Sequence, residues 1–183
     1  MEYFAEGKRG KIYIGYIKGK RVAIKKEKRN LNRINNEIKF LKILNEYNIG
    51  PRLINYSKDY MIYEFVEGIR ILDYLKNVSK REKNRIIKNV LLQCRTLDKL
   101  NIDKYEMNNP YKHILIGKQI KMIDFERCKF VEKPKNVTQF CQFIVSKKVG
   151  LKVNRNKFIK ILKNYKNNQT DTNFEKILNY LKL

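Results

Sequence analysis

The sequence has little of what nucleophilic and metal-based catalysis most often uses: one histidine, His113, and three cysteines among 183 residues. Cys94, Cys128 and Cys141 are too widely spaced for a structural zinc site, which needs four ligands in close pairs. With one histidine and no Ser–His pairing to propose from the sequence, a hydrolase triad is also disfavoured. The odd cysteine count indicates buried, reduced thiols. Any chemistry is therefore left to carboxylates, lysines and a bound metal.

Long apolar runs are absent too. The longest uncharged apolar stretches are far shorter than the roughly 20 residues of a membrane-spanning helix. The first ten residues contain no apolar signal-peptide stretch, so we expect a cytoplasmic protein with no membrane partner. The chain is nevertheless 43% hydrophobic, which is enough for a packed core. That content excludes a disordered tail, a collagen-like chain and a small disulfide-stapled scaffold.

Acidic residues are scarce relative to basic ones. The chain has 18 Asp and Glu against 42 Lys and Arg, a formal net charge of +24. Such an excess attracts phosphate backbones, so an RNA or an acidic protein is a candidate partner. The basic residues are spread along a chain rich in Lys, Ile and Asn, with one denser patch at residues 18–29. This distribution slightly favours a generally solvated surface over a dedicated nucleic-acid site.

The apolar pattern predicts short strands first and helices later. Strands are expected at 11–18, 21–26, 52–56, 60–65, 113–116 and 119–123, with a Gly19-Lys20 turn in the first hairpin and a loop at 101–112. Helices are expected at 30–47, 79–100, 136–145 and 155–165. Capping boxes predict the starts of two helices: Ser79–Glu82 for the helix at 79–100, and Thr172–Glu175 for a last helix. The order is not the alternation of a doubly wound sheet. It indicates an α+β chain with a small β-rich lobe and a helical lobe.

Glu37 is predicted to face the buried side of its helix, because it lies three residues after Ile34 and four before Leu41. A buried carboxylate is costly unless it is paired. The preceding strand offers Lys25 as the partner. In the alternative interpretation, Glu37 lies at the edge of the apolar stripe and reaches water.

Two glycines precede this strand and helix. Gly7 and Gly10 stand before the hairpin whose second strand reads Val-Ala-Ile-Lys at 22–25, and glycines let backbone N–H groups approach a phosphate. Together with Glu37, this arrangement resembles the N-terminal lobe of the protein kinases. The resemblance implies that Gly7, Gly10, Ile12, Ala23 and Lys25 bind a nucleotide. Alanine stands at position 5, where the family's first loop glycine would be.

Two further segments extend the resemblance. Residues 60–68 look like a kinase fifth strand that leads into the interlobe hinge, where the backbone of Glu64 and Val66 would bond the adenine edge. Residues 121–127 contain Asp-Phe-Glu after an apolar strand, the kinase metal-binding motif with its glycine replaced by glutamate. The resemblance implies that Asp124 holds Mg²⁺ at the nucleotide phosphates.

The catalytic loop departs from the kinase pattern. No His-Arg-Asp is present, and Glu106 aligns with the catalytic aspartate, where it would take the proton of the acceptor hydroxyl. His113 stands where the asparagine that binds the second metal is expected, although magnesium prefers oxygen ligands. Asn108 or Asn109 could take that place, and His113 could be a turn residue. Lys112 is a candidate contact for the transferred phosphate.

The resemblance covers residues 5–127 and is nearest to the small atypical kinases: the RIO kinases, the small kinase of the KEOPS tRNA-modification complex, and short archaeal predicted serine/threonine kinases. It implies a two-lobed fold with an N-lobe at 1–66 and a reduced, mainly helical C-lobe at 67–183. The implied function is transfer of phosphate from ATP, with Mg²⁺, to an unknown protein or small-molecule acceptor. The alternative is a pseudokinase-like, ATP-binding partner module associated with RNA or a tRNA-modification complex.

Overall fold

The computed structural model describes residues 1–6, 10–27 and 33–183. This part of the chain is α+β, with an antiparallel sheet and several helices, as the sequence predicts. It divides into two compact units: Met1–Gly68 with Gly117–Cys128, and Ile69–Ile116 with Lys129–Leu183. The sequence boundary at 66–67 would place segment 117–128 with the second lobe, whereas its contacts group it with the first unit.

The described strands are β1 (Glu2–Glu6), β2 (Gly10–Ile17), β3 (Lys20–Glu27), β4 (Leu53–Tyr56), β5 (Tyr60–Glu64), β6 (Ile69–Arg70), β7 (Ile102–Asp103), β8 (Ile114–Ile116), β9 (Ile120–Met122) and β10 (Lys129–Phe130). The described α-helices are α1 (Arg33–Asn45), α2 (Ile71–Lys76), α3 (Lys80–Lys99), α4 (Asn136–Val145), α5 (Arg155–Asn167) and α6 (Asp171–Leu181). A short 3-10 helix spans Pro110–Lys112. In the described residues, no helix is both long and apolar enough to cross a membrane.

A five-stranded antiparallel sheet builds the first unit, in the spatial order β1-β2-β3-β5-β4. The sequence pattern did not single out β1, because most of its side chains are exposed and it lacks a buried face that would alternate. The turn between β2 and β3 is formed by Lys18 and Gly19, both at positive φ, and not by Gly19-Lys20 as predicted. Positive φ at both central residues is the type I′ geometry that matches the twist of a hairpin.

Helix α1 packs against the sheet of the first unit. Its buried residues include Ile34, Ile38, Leu41 and Leu44, which lie at the predicted helical spacing. The helix ends at Asn45, two residues before the predicted end, and Gly50 follows at φ +79°. A Cβ at Gly50 would lie 2.7 Å from Cδ2 of Leu41 and 2.9 Å from Cε2 of Phe125, so glycine is required there.

Helices dominate the second unit. Ser79 caps α3 and accepts a hydrogen bond from the Glu82 N–H at 3.2 Å, as the capping box predicts. The last helix is capped by Thr170, which accepts from the Asn173 N–H, so the predicted Thr172–Glu175 box is wrong. Segment 127–135, where the sequence pattern indicates no strand, contains β10, which pairs with β7 inside the predicted 101–112 loop. These two-residue strands are too short to show a pattern.

A buried polar network joins α3 to α4 within the second unit. The Asn136 side chain is fully buried, and it donates to Oδ1 of Asp98 at 2.8 Å and to the Ile102 carbonyl at 2.7 Å. Its Oδ1 accepts from the Lys104 N–H at 2.9 Å. Burial raises the pKa of Asp98 above its ordinary value, although hydrogen bonds from Asn136 and Tyr165 oppose that shift. The network fixes the start of the loop that carries Glu106.

We predict that Asn136→Ala lowers the free energy of unfolding by about 3 kcal/mol, because it leaves several buried donors and acceptors without partners. Urea unfolding followed by circular dichroism measures the change. Asn156→Ala, at an exposed position of α5, is the matched control and should shift the free energy by no more than about 0.5 kcal/mol. Equal effects of the two variants would contradict a structural role for the network.

Candidate functional site

Lys25 and Glu37 form the predicted buried ion pair. Lys25 lies in β3 and Glu37 in α1, and Nζ of Lys25 is 2.6 Å from Oε2 of Glu37. Glu37 is 4% exposed, so the alternative in which it reaches water is wrong. Burial alone would lower the pKa of Lys25, but the carboxylates of Glu37 and Asp124 outweigh it and hold that pKa above its ordinary value. The pair fixes an ammonium group on the sheet of the first unit.

Helix α1 also holds the segment that follows β9. Oε1 of Glu37 accepts a hydrogen bond from the Phe125 N–H at 3.1 Å. The neighbouring Asn36 donates from Nδ2 to the carbonyls of Glu126 and Cys128, both at 2.9 Å. Two adjacent helix residues thus fasten the backbone of segment 124–128, and the buried Phe125 ring packs beside Gly50.

Glu126 is a residue of this site that sequence reasoning missed. Its Oε2 lies 3.5 Å from Nζ of Lys25, and its side chain is only 7% exposed. The sequence signal was present, because glutamate replaces the glycine of the metal-binding motif directly beside Asp124. In the sequence this glutamate is a departure from the motif, and its contact with Lys25 becomes visible only in the fold.

Asp124 adopts a left-handed backbone conformation, with φ +64°. A non-glycine residue held there costs on the order of 1 kcal/mol or more, and such residues cluster at functional sites. Carboxylate oxygens of Asp124, Glu37 and Glu126 all lie within 4.8 Å of one another. These three carboxylates and Lys25 carry a formal charge of −2.

The donor set fits a hard divalent cation. Carboxylate oxygens are the ligands that Mg²⁺ and Ca²⁺ prefer. Asp124 and Glu126, whose carboxylate oxygens lie within 4.8 Å of each other, are the residues that would hold a cation.

Of the predicted nucleotide-binding residues, Gly10, Ile12 and Ala23 lie in the β2–β3 hairpin. Gly7 lies outside the described residues. Gly10 is buried at the start of β2, where a Cβ would lie 2.7 Å from the Lys26 carbonyl oxygen, so packing already requires glycine. Ile12 pairs with Lys25 across the β2–β3 ladder, and Ala23 is buried in β3. The hairpin therefore brings Ile12 beside the ion pair.

The predicted adenine-binding residues lie at the end of β5. Glu64 is the last residue of the strand, and its N–H donates to the Arg52 carbonyl at 2.9 Å. An adenine contact from Glu64 would therefore use its carbonyl. Val66 follows the strand and is half-buried. Tyr63, which was not predicted as a site residue, has a pKa raised by burial and by the charge of Glu37.

In the second unit, Glu106 and His113 lie together. Oε2 of Glu106 is 3.6 Å from Nδ1 of His113. Tyr105 and Glu106 both have left-handed backbones, at φ +61° and +62°. His113 directly follows the 3-10 helix and its N–H donates to the Pro110 carbonyl, a contact that fits the alternative in which His113 is a turn residue.

The loop that carries Glu106 is anchored on both sides. Oδ1 of Asp103 accepts from the Tyr105 N–H at 2.9 Å, and the Met107 N–H donates to Gln139 in α4. The Asn109 side chain, an alternative to His113 for the second metal, accepts a hydrogen bond from Lys148 at 3.0 Å. These contacts are what hold the two consecutive strained residues in place. Among residues 1–6, 10–27 and 33–183, no side-chain contact assigns a role to Lys112 or Asn108.

No protein-family model matches the chain, and a comparison with curated proteins gives no match either.

We predict strong coupling between Lys25 and Glu37. Lys25→Met and Glu37→Gln each remove one member of the closest buried contact, so the sum of their separate costs should exceed the cost of the double variant by about 2 kcal/mol. Urea unfolding of the four proteins of the cycle measures this coupling.

The matched control is the exposed pair of Arg21 and Glu67, which lies in the same unit at 3.0 Å. The cycle of Arg21→Met and Glu67→Gln should show a coupling of no more than about 0.5 kcal/mol, because water screens it. Additive effects at Lys25 and Glu37 would contradict the structural importance of the buried pair.

Proposed function

We propose that the chain is an ATP- and Mg²⁺-dependent phosphotransferase of the atypical protein-kinase type, with the two units acting as its two lobes. The observation that carries the proposal is the buried Lys25–Glu37 pair, with Nζ and Oε2 2.6 Å apart, beside the carboxylate of Asp124. A fixed ammonium next to hard oxygen ligands is the arrangement that binds nucleotide phosphates with a divalent cation.

The residues of the first unit bind and orient in this proposal. Lys25 donates hydrogen bonds to the phosphates, and Glu37 holds Lys25 in position. Gly7 and Gly10 allow the backbone to approach the phosphates, while Ile12, Ala23 and the backbone of Glu64 and Val66 surround the base. Asp124, with Glu126 beside it, holds Mg²⁺, which when bound neutralises phosphate charge and polarises the transferred group.

Glu106 of the second unit is the proposed base. It accepts the proton of the acceptor hydroxyl as the bond between that oxygen and the γ-phosphorus forms and the bond to the ADP oxygen breaks. His113, 3.6 Å away, positions the Glu106 carboxylate. The acceptor is the hydroxyl of a protein or a small molecule.

Asp124→Asn tests the proposal with little disturbance of the backbone, since asparagine tolerates the left-handed conformation better than alanine does. We predict that it lowers transfer of labelled phosphate from ATP by at least about 100-fold, because the metal loses a charged ligand. EDTA should abolish transfer by the wild-type protein. The readout is label on protein, on small molecules and as free phosphate.

Asp59→Asn, an exposed aspartate of the same unit, is the matched control and should leave turnover unchanged. Equal turnover by wild type and Asp124→Asn would overturn the catalytic proposal. Nucleotide binding without any transfer would favour the alternative, a pseudokinase-like module that holds ATP and acts as a partner protein. The departures at Glu106 and His113 motivate that alternative.

RNA binding is a second candidate function, and a basic groove in the second unit favours it. The groove has a volume of about 570 Å³ and lies between α4 and α5; its lining has no carboxylate and four cations: Lys135, Arg155, Lys163 and Lys166. Helix α5 itself carries five basic residues and no acidic one over thirteen positions. This local excess is what a phosphate backbone would neutralise.

We predict that the triple variant Lys135→Gln, Lys163→Gln and Lys166→Gln weakens binding of a fluorescein-labelled 20-nucleotide oligouridine. The slope of log K against log salt should become shallower by about 2, since each lost phosphate contact removes about 0.7. Fluorescence anisotropy from about 50 to 300 mM salt measures both quantities, a range over which phosphate contacts weaken strongly.

The matched control removes the same charge from exposed lysines elsewhere: Lys11→Gln, Lys80→Gln and Lys88→Gln. It should leave the slope nearly unchanged. If both triple variants weaken binding alike, the protein binds RNA through its overall charge and the groove is not an RNA site.

A further inference from the structure

We propose that Glu126 is a built-in counterion for Lys25, which a nucleotide phosphate must displace before Lys25 can bind it. The inference rests on the proposed nucleotide-binding function and assigns a new role to the glutamate that replaces the kinase glycine. Glu126 would then lower the affinity for phosphate and make that affinity depend on accompanying positive charge.

The two carboxylates on Lys25 are bound unequally. Glu37 approaches Nζ to 2.6 Å and is held by a second hydrogen bond from the Phe125 N–H. Oε2 of Glu126 lies 3.5 Å from Nζ of Lys25, a distance longer than that of a strong charge-assisted hydrogen bond. Of these two partners, Glu126 is the one that an incoming phosphate oxygen would replace. The ammonium group has three donors, so Glu37 can stay in place during the exchange.

Burial makes the Glu126 contact an effective block. The Glu126 side chain is 7% exposed and that of Lys25 is 16% exposed, so water screens their attraction weakly. Carboxylate oxygens of Glu37 and Asp124 also lie within 4.8 Å of one from Glu126. A phosphate that enters without a cation meets a formal charge of −2, and like charges at such distances repel strongly.

The exchange needs no movement of the main chain. Asn36 holds the carbonyls of Glu126 and Cys128 at 2.9 Å, which fixes the backbone on both sides of the side chain. In the proposed exchange, rotation about the side-chain bonds takes the Glu126 carboxylate away from Lys25. Helix α1 therefore holds Lys25 through Glu37, and through Asn36 it holds the backbone of Glu126, the residue that competes with phosphate for Lys25.

Glu126→Gln removes the competing charge and keeps the size of the side chain. We expect it to tighten ADP binding in EDTA by about tenfold, the equivalent of about 1.4 kcal/mol. The affinity for adenosine, which has no phosphate, should not change. Isothermal titration calorimetry with ADP and with adenosine, each in EDTA and in Mg²⁺, gives these constants without an activity assay.

Two further variants keep the test decisive. Glu126→Ala removes the carboxylate without leaving an amide, and it should give the same gain if the glutamine variant folds poorly. Glu46→Gln changes an exposed glutamate of the same unit and should alter neither affinity.

The outcomes separate this inference from the proposed function. If wild type binds ADP and neither Glu126 variant binds it more tightly, the counterion role is wrong while the phosphotransferase proposal stands. If both ADP and adenosine bind more tightly, the change acts on nucleotide binding in general and the counterion role is also wrong. If neither wild type nor any variant binds ADP in EDTA or in Mg²⁺, both proposals are overturned.

Discussion

The first unit depends on one buried ion pair. Taking Lys25 and Glu37 out of water is costly, and the short contact between them is what makes that burial tolerable. Because the other carboxylate oxygen of Glu37 accepts a hydrogen bond from the Phe125 N–H, the same pair also connects the sheet to segment 124–128. Asn36, one residue earlier on α1, adds two carbonyl contacts to that segment. A single turn of helix thus organises the lysine, the acidic residues and the strained Asp124 of the candidate site.

In the second unit, a buried amide side chain has the organising role that the buried ion pair has in the first unit. Asn136 is buried and bonded to Asp98, Ile102 and Lys104, so it fixes the beginning of a loop whose later residues are strained. Strain at Tyr105 and Glu106 persists because the contacts around them determine the path of the chain. In both units a buried polar side chain on a helix positions a candidate acidic residue on a neighbouring loop.

Local patterns predicted the parts of the structure that local physics decides. Helical spacing gave the buried side of Glu37, and the capping box gave the start of α3 at Ser79. Contacts between residues far apart in the sequence determine the features that the local patterns did not predict. Thr170 caps the last helix where Arg95 binds Asp171 and the Gln169 carbonyl, and nothing near Thr172 signals this. The pairing of Glu126 with Lys25 joins residues 101 positions apart, so only the fold could show it.

The left-handed backbone at Asp124 restricts what evolution can place there. Of the residues other than glycine, aspartate and asparagine are those that adopt this conformation with least cost. A single base change converts an aspartate codon into an asparagine codon. Loss of the charge at position 124 would therefore leave the fold almost undisturbed. If the chain is a phosphotransferase, its descendants could lose catalysis and keep the same shape, and a non-catalytic binding protein would be one mutation away.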